Sequence, residues 1–493
     1  MSKKNRRRGG VGVTPPVSTL VQDFLEDLLG DLWAALEAGD LLRAELETAR
    51  CMTLPLRDDA DMASLLAKMA ANGGTPADAA LMRLIASLGT PDVKRAAGRG
   101  LAELTANGIY PTEWVAEAGR ATPGEAWRRF DVFGDEELIV VTYRYGDVAH
   151  MLSVYIDLTA DPVAYGISVA EGTPDRHHDL RPPLDPFEQV SAISLAEARR
   201  RIEPALNHVE LGRRLDPASM AFLPIARSRL RRLLVEEAPQ TPAFSAADRA
   251  AAVASFMASP EAVEAVAVDA ATTQVWAEIL TGYSSRIAGE PPGHVGPGKL
   301  DVILLDSVPG FHSLTEAQRR HMRPAVTAWA RWSAAYRGLD EAAAANLTTG
   351  IADPFDAFDT RYDSPAAVAA RDYVADVVAS DVDLAWLGQV AYRRSIAMPL
   401  PEDREGGEWV TQLRASDPAD RRAYVAAEFA NCSLPDGLTR DEFVSAAQDV
   451  VEQLWLGEPP AVWEHAKQLL LGEGMDQHDV IHTLVSAAPG RRD

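Results

Sequence analysis

Cysteine is almost absent from the chain: Cys51 and Cys432 are the only two in 493 residues, and they form no CxxC pair. That excludes a disulfide framework and a thiolate zinc cluster alike. Positive charge is also scarce, with 48 Lys and Arg against 72 Asp and Glu and a net charge of −24. Five of the cations (Lys3, Lys4, Arg6, Arg7 and Arg8) fall within the first eight residues, which leaves the remainder at −29. So acidic a body repels phosphate backbones and anionic membranes wherever cations are not gathered locally. No apolar run approaches the ~20 residues of a membrane helix. Near the start, Pro15, Pro16, Asp23 and Glu26 interrupt what a signal peptide would keep apolar. The expected setting is therefore the cytoplasm, without a membrane partner. Catalytic signatures are missing too: no GxSxG elbow, no cysteine in a nucleophile motif and no spaced carboxylate pair stands out.

Apolar residues make up 47% of the chain and its length exceeds what one core can organise. Residues 1–16 lack apolar content and read as a disordered basic arm. From Val17 the period is helical, with Leu20, Phe24, Leu28, Leu32 and Leu36 at a spacing of four. Two segments, TPADAALMRLIASLG and TPDVKRAAGRGLAELTANG, each open on Thr-Pro and close on Gly, marking helix starts and stops. The period changes to two in LIVVTYRY (138–145) and HMLSVYIDL (150–158), with turns at Gly134-Asp135, Gly146-Asp147 and Asp161-Pro162. Helices are expected again over 195–211, 218–236 and 245–286, and after a capping box of Ser313 with Glu316, with Gly338 as C-cap. The predicted class is mostly α with one small α+β segment, a multi-domain helical architecture around an antiparallel meander of about three or four strands. The expected divisions are the arm at 1–16, a helical domain at 17–125, the α+β domain at 126–238, a central helical domain at 239–380 and a C-terminal helical domain at 381–493.

One stretch, GHVGPGKLDVILLD at 293–306, imitates a phosphate loop through Gly293, Gly298 and Lys299. A working loop follows a buried strand and sets Ser or Thr after the Lys to hold magnesium. Here Leu300 takes that position, Pro297 removes an N–H, and a helical pattern precedes the loop. The stretch reads as a turn feeding an apolar segment, with no nucleotide bound. Nine arginines lie between 199 and 232, among them Arg231 and Arg232, opposed by Glu203, Glu210 and Asp216. They read as solvated faces, or as a patch for RNA or an acidic partner. His150 shares the apolar face of its strand with Leu152 and Val154, as a hydrogen-bonded, partly buried histidine does. His177 and His178 have no evident partners in sequence. His478 and His482 sit at i, i+4, a spacing that lets two imidazoles share a metal, with further ligands to come from Glu452 or His465.

Four stretches carry a resemblance: DLWAALEAGDLLRAELETAR, FDVFGDEELIVVTYRYGDVAHMLSV, GPGKLDVILLDSVPGFHSLTEAQ with VTAWARW, and LGEPPAVWEHAKQLLLGEGMDQHDVIHTL. Through them most of the chain resembles a family of long uncharacterised actinobacterial proteins. The last stretch is also similar to a short helical domain of unknown function in other bacterial proteins. It matches there through Glu452-Gln453, Pro459-Pro460, His478 and His482. The position at which such domains often carry a further His falls near Ala447 here. The resemblance implies the domain layout and brings no activity.

Residues 437–488 read as a three-helix docking module. Thr439 and Glu442 cap its first helix, and Asp476 its third. Its net charge between 439 and 488 is −7, which rules it out as a DNA reader. The leading expectation is a cytoplasmic interaction or scaffold protein with an unidentified protein partner and no cofactor. The alternatives are a metal-dependent hydrolase holding zinc or iron on His478, His482 and Glu452, and an RNA- or ribosome-associated factor using the basic arm. Removing residues 2–10 is expected to abolish any nucleic-acid binding, read by anisotropy at ~50 mM salt, without moving the melting temperature. Binding of undiminished strength would transfer the role to the 199–232 cluster.

Overall fold

The computed structural model describes residues 29–53, 70, 73–160, 162–172, 185–209, 215–233, 244–284, 291–377, 387–399, 412–430, 432, 434, 438–473, 475 and 477–487. The basic arm, the His177-His178 loop, Arg213, Arg214 and Asp476 lie outside them. The architecture is predominantly α-helical and multi-domain, with one small open antiparallel sheet. Among the described residues no single helix is long and apolar enough to cross a membrane.

The first unit is helical. Helix α1 (Leu41–Met52) is capped by the Asp40 carboxylate on the Arg43 N–H. Helix α2 (Pro76–Leu88) starts in a capping box of Thr75 with Asp78, and α3 (Pro91–Ala106) follows with Pro in its first turn, as the Thr-Pro openings predict. Their apolar stripes bury Ala44, Leu81, Leu84, Ile85 and Ala97 in one core, together with Leu32 and Leu36 from the helical stretch that precedes Asp40.

The sheet runs in the order β4-β3-β2-β1-β5, antiparallel throughout. Strands β1 (Thr122–Asp131), β2 (Glu136–Tyr145), β3 (Val148–Asp157) and β4 (Val163–Glu171) form the expected meander. The addition is β5 (Glu188–Ile193), which returns to the outer edge of β1. Its run EQVSAI has little apolar alternation because an edge strand stays largely exposed. Strand β1 is disguised by charge. Arg128 lies 2.6 Å from Glu137 and over the Phe130 ring, and Arg129 pairs with Glu188 across the sheet. One sheet face carries Ile139, Val141, Leu152 and Val154 onto Ile202 and Leu206 of α4 (Leu195–Val209) and Leu230 of α5 (Leu223–Leu230). Helix α5 stops at Arg231, short of the 236 expected from the pattern; residues 234–236 lie outside the described set.

The expected helical segment 245–286 is two helices, α6 (Ala246–Met257) and α7 (Val263–Ser284), joined by a 3-10 turn. Asp269 breaks α7 with extended backbone, and its carboxylate caps the second half through the Thr272 N–H. With α8 (Pro297–Val302), α9 (Met322–Arg337), α10 (Glu341–Thr349) and α11 (Ala352–Tyr362), they enclose a core around Trp276, Trp329 and Phe256. The predicted box of Ser313 with Glu316 is displaced by two residues. Thr315 is the N-cap and Gln318 its reciprocal partner, a pair of the same chemistry in the next usable frame. Gly338 is left-handed at the end of α9, as expected.

The C-terminal helices are α12 (Pro418–Glu428), α13 (Arg440–Leu456), α14 (Pro460–Glu473) and α15 (Gln477–Ala487). Thr439 and Glu442 make the predicted capping box, and Phe443, Ala447, Val450, Val451 and Leu454 are all buried.

A buried polar cluster ties the first helical unit to the sheet. Glu45 of α1, Arg229 of α5 and His150 of β3 are all fully buried. Arg229 donates through Nη2 to Glu45 Oε2 at 2.5 Å and through Nε to His150 Nε2 at 3.0 Å. The second Glu45 oxygen accepts from the Tyr145 hydroxyl at 2.8 Å and the Gly119 N–H at 2.9 Å. The sequence placed Arg229 beside an apolar stripe, on a solvated face; it lies inside. Removing one partner of such a pair strands a buried charge, so Glu45→Gln is expected to lower unfolding free energy by about 3–5 kcal/mol in urea titrations. His150 supplies a pH signature. Burial, then the Arg229 charge, push its pKa down to about 3. The unfolded imidazole takes a proton near ~6.5 while the folded one refuses it. The stabilisation present above ~6.5 is therefore lost as pH falls towards ~3, at up to about 1.4 kcal/mol per pH unit. His150→Gln retains an acceptor for Arg229 without titrating. Its stability deficit should shrink from pH 7 to pH 5 relative to the wild type, and a constant deficit would contradict a buried neutral imidazole.

Candidate functional site

The glycine loop and the β1–β2 hairpin meet at the end of the sheet. Asp131 organises the hairpin by accepting the Phe133, Gly134 and Glu136 N–H groups, each at 2.6 Å. This presents Asp135 to the start of α8, where Gly298 N–H donates to its Oδ2 at 2.7 Å. Lys299 is fully buried; its Nζ donates to Gly134 O at 2.5 Å and lies 3.5 Å from Asp135 Oδ1. A Cβ on Gly296 would fall 2.3 Å from the Asp135 carboxylate, and one on Gly298 would fall 2.9 Å from Thr159 Cγ2. The glycines thus serve close approach to an anion that the protein itself supplies. Reading the stretch as a turn misses this buried pairing of Lys299. Arg337 fastens the same junction, donating to Val295 O at 2.7 Å and Val132 O at 2.6 Å. Burial and the nearby Arg337 and Lys299 charges push the His294 pKa down to about 4, so the loop carries no imidazolium near neutral pH.

Beside this junction opens a cleft of about 400 Å³ between the hairpin and helices α8 and α10. Its carboxylates are Asp131, Asp135, Glu136, Glu137, Asp185 and Glu188, and its aromatic rings include Tyr155, Tyr165 and Phe187. Most of these acids have internal duties. Asp131 and Asp135 hold backbone, Glu137 is clamped by Arg128 and Arg201, and Glu188 faces Arg129. Glu136 is different: among the described residues its side chain takes only the Tyr165 hydroxyl, at 3.4 Å. Desolvation, then the charges of Asp131, Asp157 and Glu188, raise its pKa. Burial, then Glu136, also raise the Tyr165 phenol to about 12. Among the described residues the cleft therefore holds more carboxylates than paired cations, flanked by π faces.

The other residues singled out from the sequence are dispersed. The arginine run does not make one patch. Among the described residues Arg199 bonds Glu203, Arg201 bonds Glu197 and Glu137, Arg229 is internal, and Arg231 donates to Ser87 O at 2.9 Å, while Arg200 and Arg232 are exposed. Lys3, Lys4, Arg6, Arg7 and Arg8 lie outside the described residues. On α15, His478 and His482 do share a side, with ring centroids 6.4 Å apart. Glu452 does not join them, because both its oxygens are taken by Arg421 at 2.9 and 2.7 Å. Glu428 stands 2.9 Å from His478 Nδ1 instead, while the rings lie against Phe429 and Phe443. Among the described residues no group of three or more His, Cys, Asp or Glu has the geometry to hold a metal ion. Sequence reasoning missed Asp135, since its partners at Gly298 and Lys299 arrive from an element over a hundred residues later, and Glu136, whose neighbour Tyr165 comes from a strand two positions away in the sheet.

Compared with known proteins, the chain matches no family model, no curated protein and no solved structure.

Lys299→Ala is expected to lower stability by on the order of 3 kcal/mol in denaturant titrations, because the buried Asp135 loses its ammonium. Millimolar ATP or GTP should leave the melting curve of the wild type unmoved. Unchanged melting of Lys299→Ala would refute the structural role of the lysine.

Proposed function

We propose that the chain is a non-catalytic interaction protein that receives a lysine or arginine side chain of a protein partner in the acidic cleft. The supporting observation is Glu136, a carboxylate at the exposed rim of the cleft, set among like charges and, among the described residues, without a cation paired to it. A guanidinium or ammonium entering the cleft relieves that repulsion directly. Tyr155, Tyr165 and Phe187 offer ring faces against which a cation is attracted by the quadrupole. The acidic remainder of the molecule adds long-range steering towards a basic partner.

The test is calorimetric titration with the peptide Gly-Arg-Gly-Arg-Gly against the same peptide carrying citrulline. Glu136→Gln should weaken the arginine peptide about tenfold, equivalent to ~1.4 kcal/mol. The exposed Glu264→Gln on α7 should not. Below its raised pKa Glu136 is neutral, so affinity should climb as the pH rises through that pKa and fall on acidification. Equal affinity for the citrulline peptide, or indifference to Glu136→Gln, would refute the proposal.

A further inference from the structure

The two edges of the sheet are finished differently. At one edge β4 is closed: buried Ile167 donates its N–H to Ser219 Oγ at 3.0 Å, from the short helix Pro217–Met220. Its register with β3 also slips at Tyr155 and Ile156, and such a bulge twists an edge away from further pairing. At the other edge β5 pairs with β1 through Glu188–Ile193 without a slip. Among the described residues no strand lies on its outer side, and Gln189, Val190, Ser191 and Ala192 are exposed. The run from Gln189 to Ile193 holds no charge and no proline, which are the usual means of keeping an open edge from pairing.

The backbone of β5 shows which groups are open. Val132 N–H donates to Phe187 O at 2.8 Å, so Phe187 faces β1. Along an antiparallel strand the N–H and C=O of one residue point to the same side, and that side alternates. Gln189, Ser191 and Ile193 therefore face β1, while Val190 and Ala192 turn both groups outward. Among the described residues the N–H and C=O of Val190 and Ala192 have no partner. The open edge ends at the acidic cleft, which Asp185, Phe187 and Glu188 line at the start of β5. A strand laid along β5 is thus constrained twice. The ladder accepts any extended backbone, and the carboxylates at its end repel acids and attract cations.

We propose, resting on the cleft reading above, that β5 takes up an extended segment of the basic partner as a sixth, antiparallel strand. The residues that follow this strand carry the arginine or lysine into the cleft. An antiparallel guest matches the rest of the sheet and runs from Ile193 towards Glu188, so its C-terminal end reaches the carboxylates. Backbone bonds to Val190 and Ala192 hold the strand, and the cation sets its register. The experiment is calorimetry on the full chain with Gly-Arg-Gly-Arg-Gly and with Thr-Val-Thr-Val-Thr-Gly-Arg-Gly-Arg-Gly, which adds a strand ahead of the same cations. The longer peptide should bind about tenfold more tightly than the shorter one. N-methylation of two adjacent residues in its strand half blocks both of its edges, keeps its charge and should erase the gain. Val190→Pro removes an outward N–H that the sheet does not use, a change that an edge position tolerates. It should also erase the gain, while melting within a few degrees of the wild type and binding the short peptide unchanged. If that variant folds poorly, the N-methylated peptide on the wild type decides. Short-peptide binding that depends on Glu136, with no gain from the added strand, overturns strand addition and leaves the cleft reading standing. Binding of neither peptide overturns both. A gain that survives N-methylation, or survives Val190→Pro in a folded variant, overturns strand addition as well. A concentration-dependent dimer in sedimentation, dissolved by Val190→Pro, assigns the edge to a second copy of the chain and overturns the proposal.

Discussion

The pairing of Glu45 with Arg229 is the constraint on which the first half of the molecule depends. The two residues are 184 positions apart in sequence, and no water reaches either side chain. Apolar faces tolerate sliding, because burial energy has no direction. An internal ion pair does not, because each charge must meet its partner at hydrogen-bond distance or remain uncompensated at a cost of several kcal/mol. Once Arg229 also donates to His150, and Glu45 accepts from Tyr145 and Gly119, α1, α5 and the sheet share a single arrangement. Ala49, Leu88 and Ile225 then close an apolar seam alongside. The cluster contributes uniqueness of docking more than net stability.

The same device recurs at the next junction, where Lys299 and Asp135 fasten the hairpin to the central helices. Its consequence bears on function. A hairpin folded around Asp131 and aimed by Asp135 concentrates carboxylates at one end of the sheet, and the cations nearby are consumed in holding strands together. Among the described residues Glu136 is left without a paired cation, at the cleft.

The C-terminal helices show how a motif can be correct in spacing and altered in company. His478 and His482 lie on one side of α15, as i, i+4 requires, and their rings pack on Phe429 and Phe443. Glu452 points to Arg421, which also lies 4.2 Å over the Trp455 ring, so guanidinium geometry determines that carboxylate's position. Glu428, from the helix before α13, stands beside His478. Helix faces can be computed from sequence; which neighbouring helix presents its acid to a given face cannot.

Local rules were legible in the chain itself. Thr-Pro openings, the Thr439 cap, Gly338, the alternation in β2 and β3 and the apolar faces of α13 and α14 all rest on interactions within a few residues, which spacing encodes directly. So did the predominantly helical class with one antiparallel sheet. The identity of an arginine as internal or solvated was not legible, nor that of a glycine-lysine run as a cradle for Asp135. Strand β5 was hidden because an edge strand needs little apolar pattern, and β1 because its arginines answer carboxylates on neighbouring strands. Each of these depends on a partner tens to hundreds of residues away. A charge is worth opposite amounts with and without that partner, so only the tertiary structure decided its role.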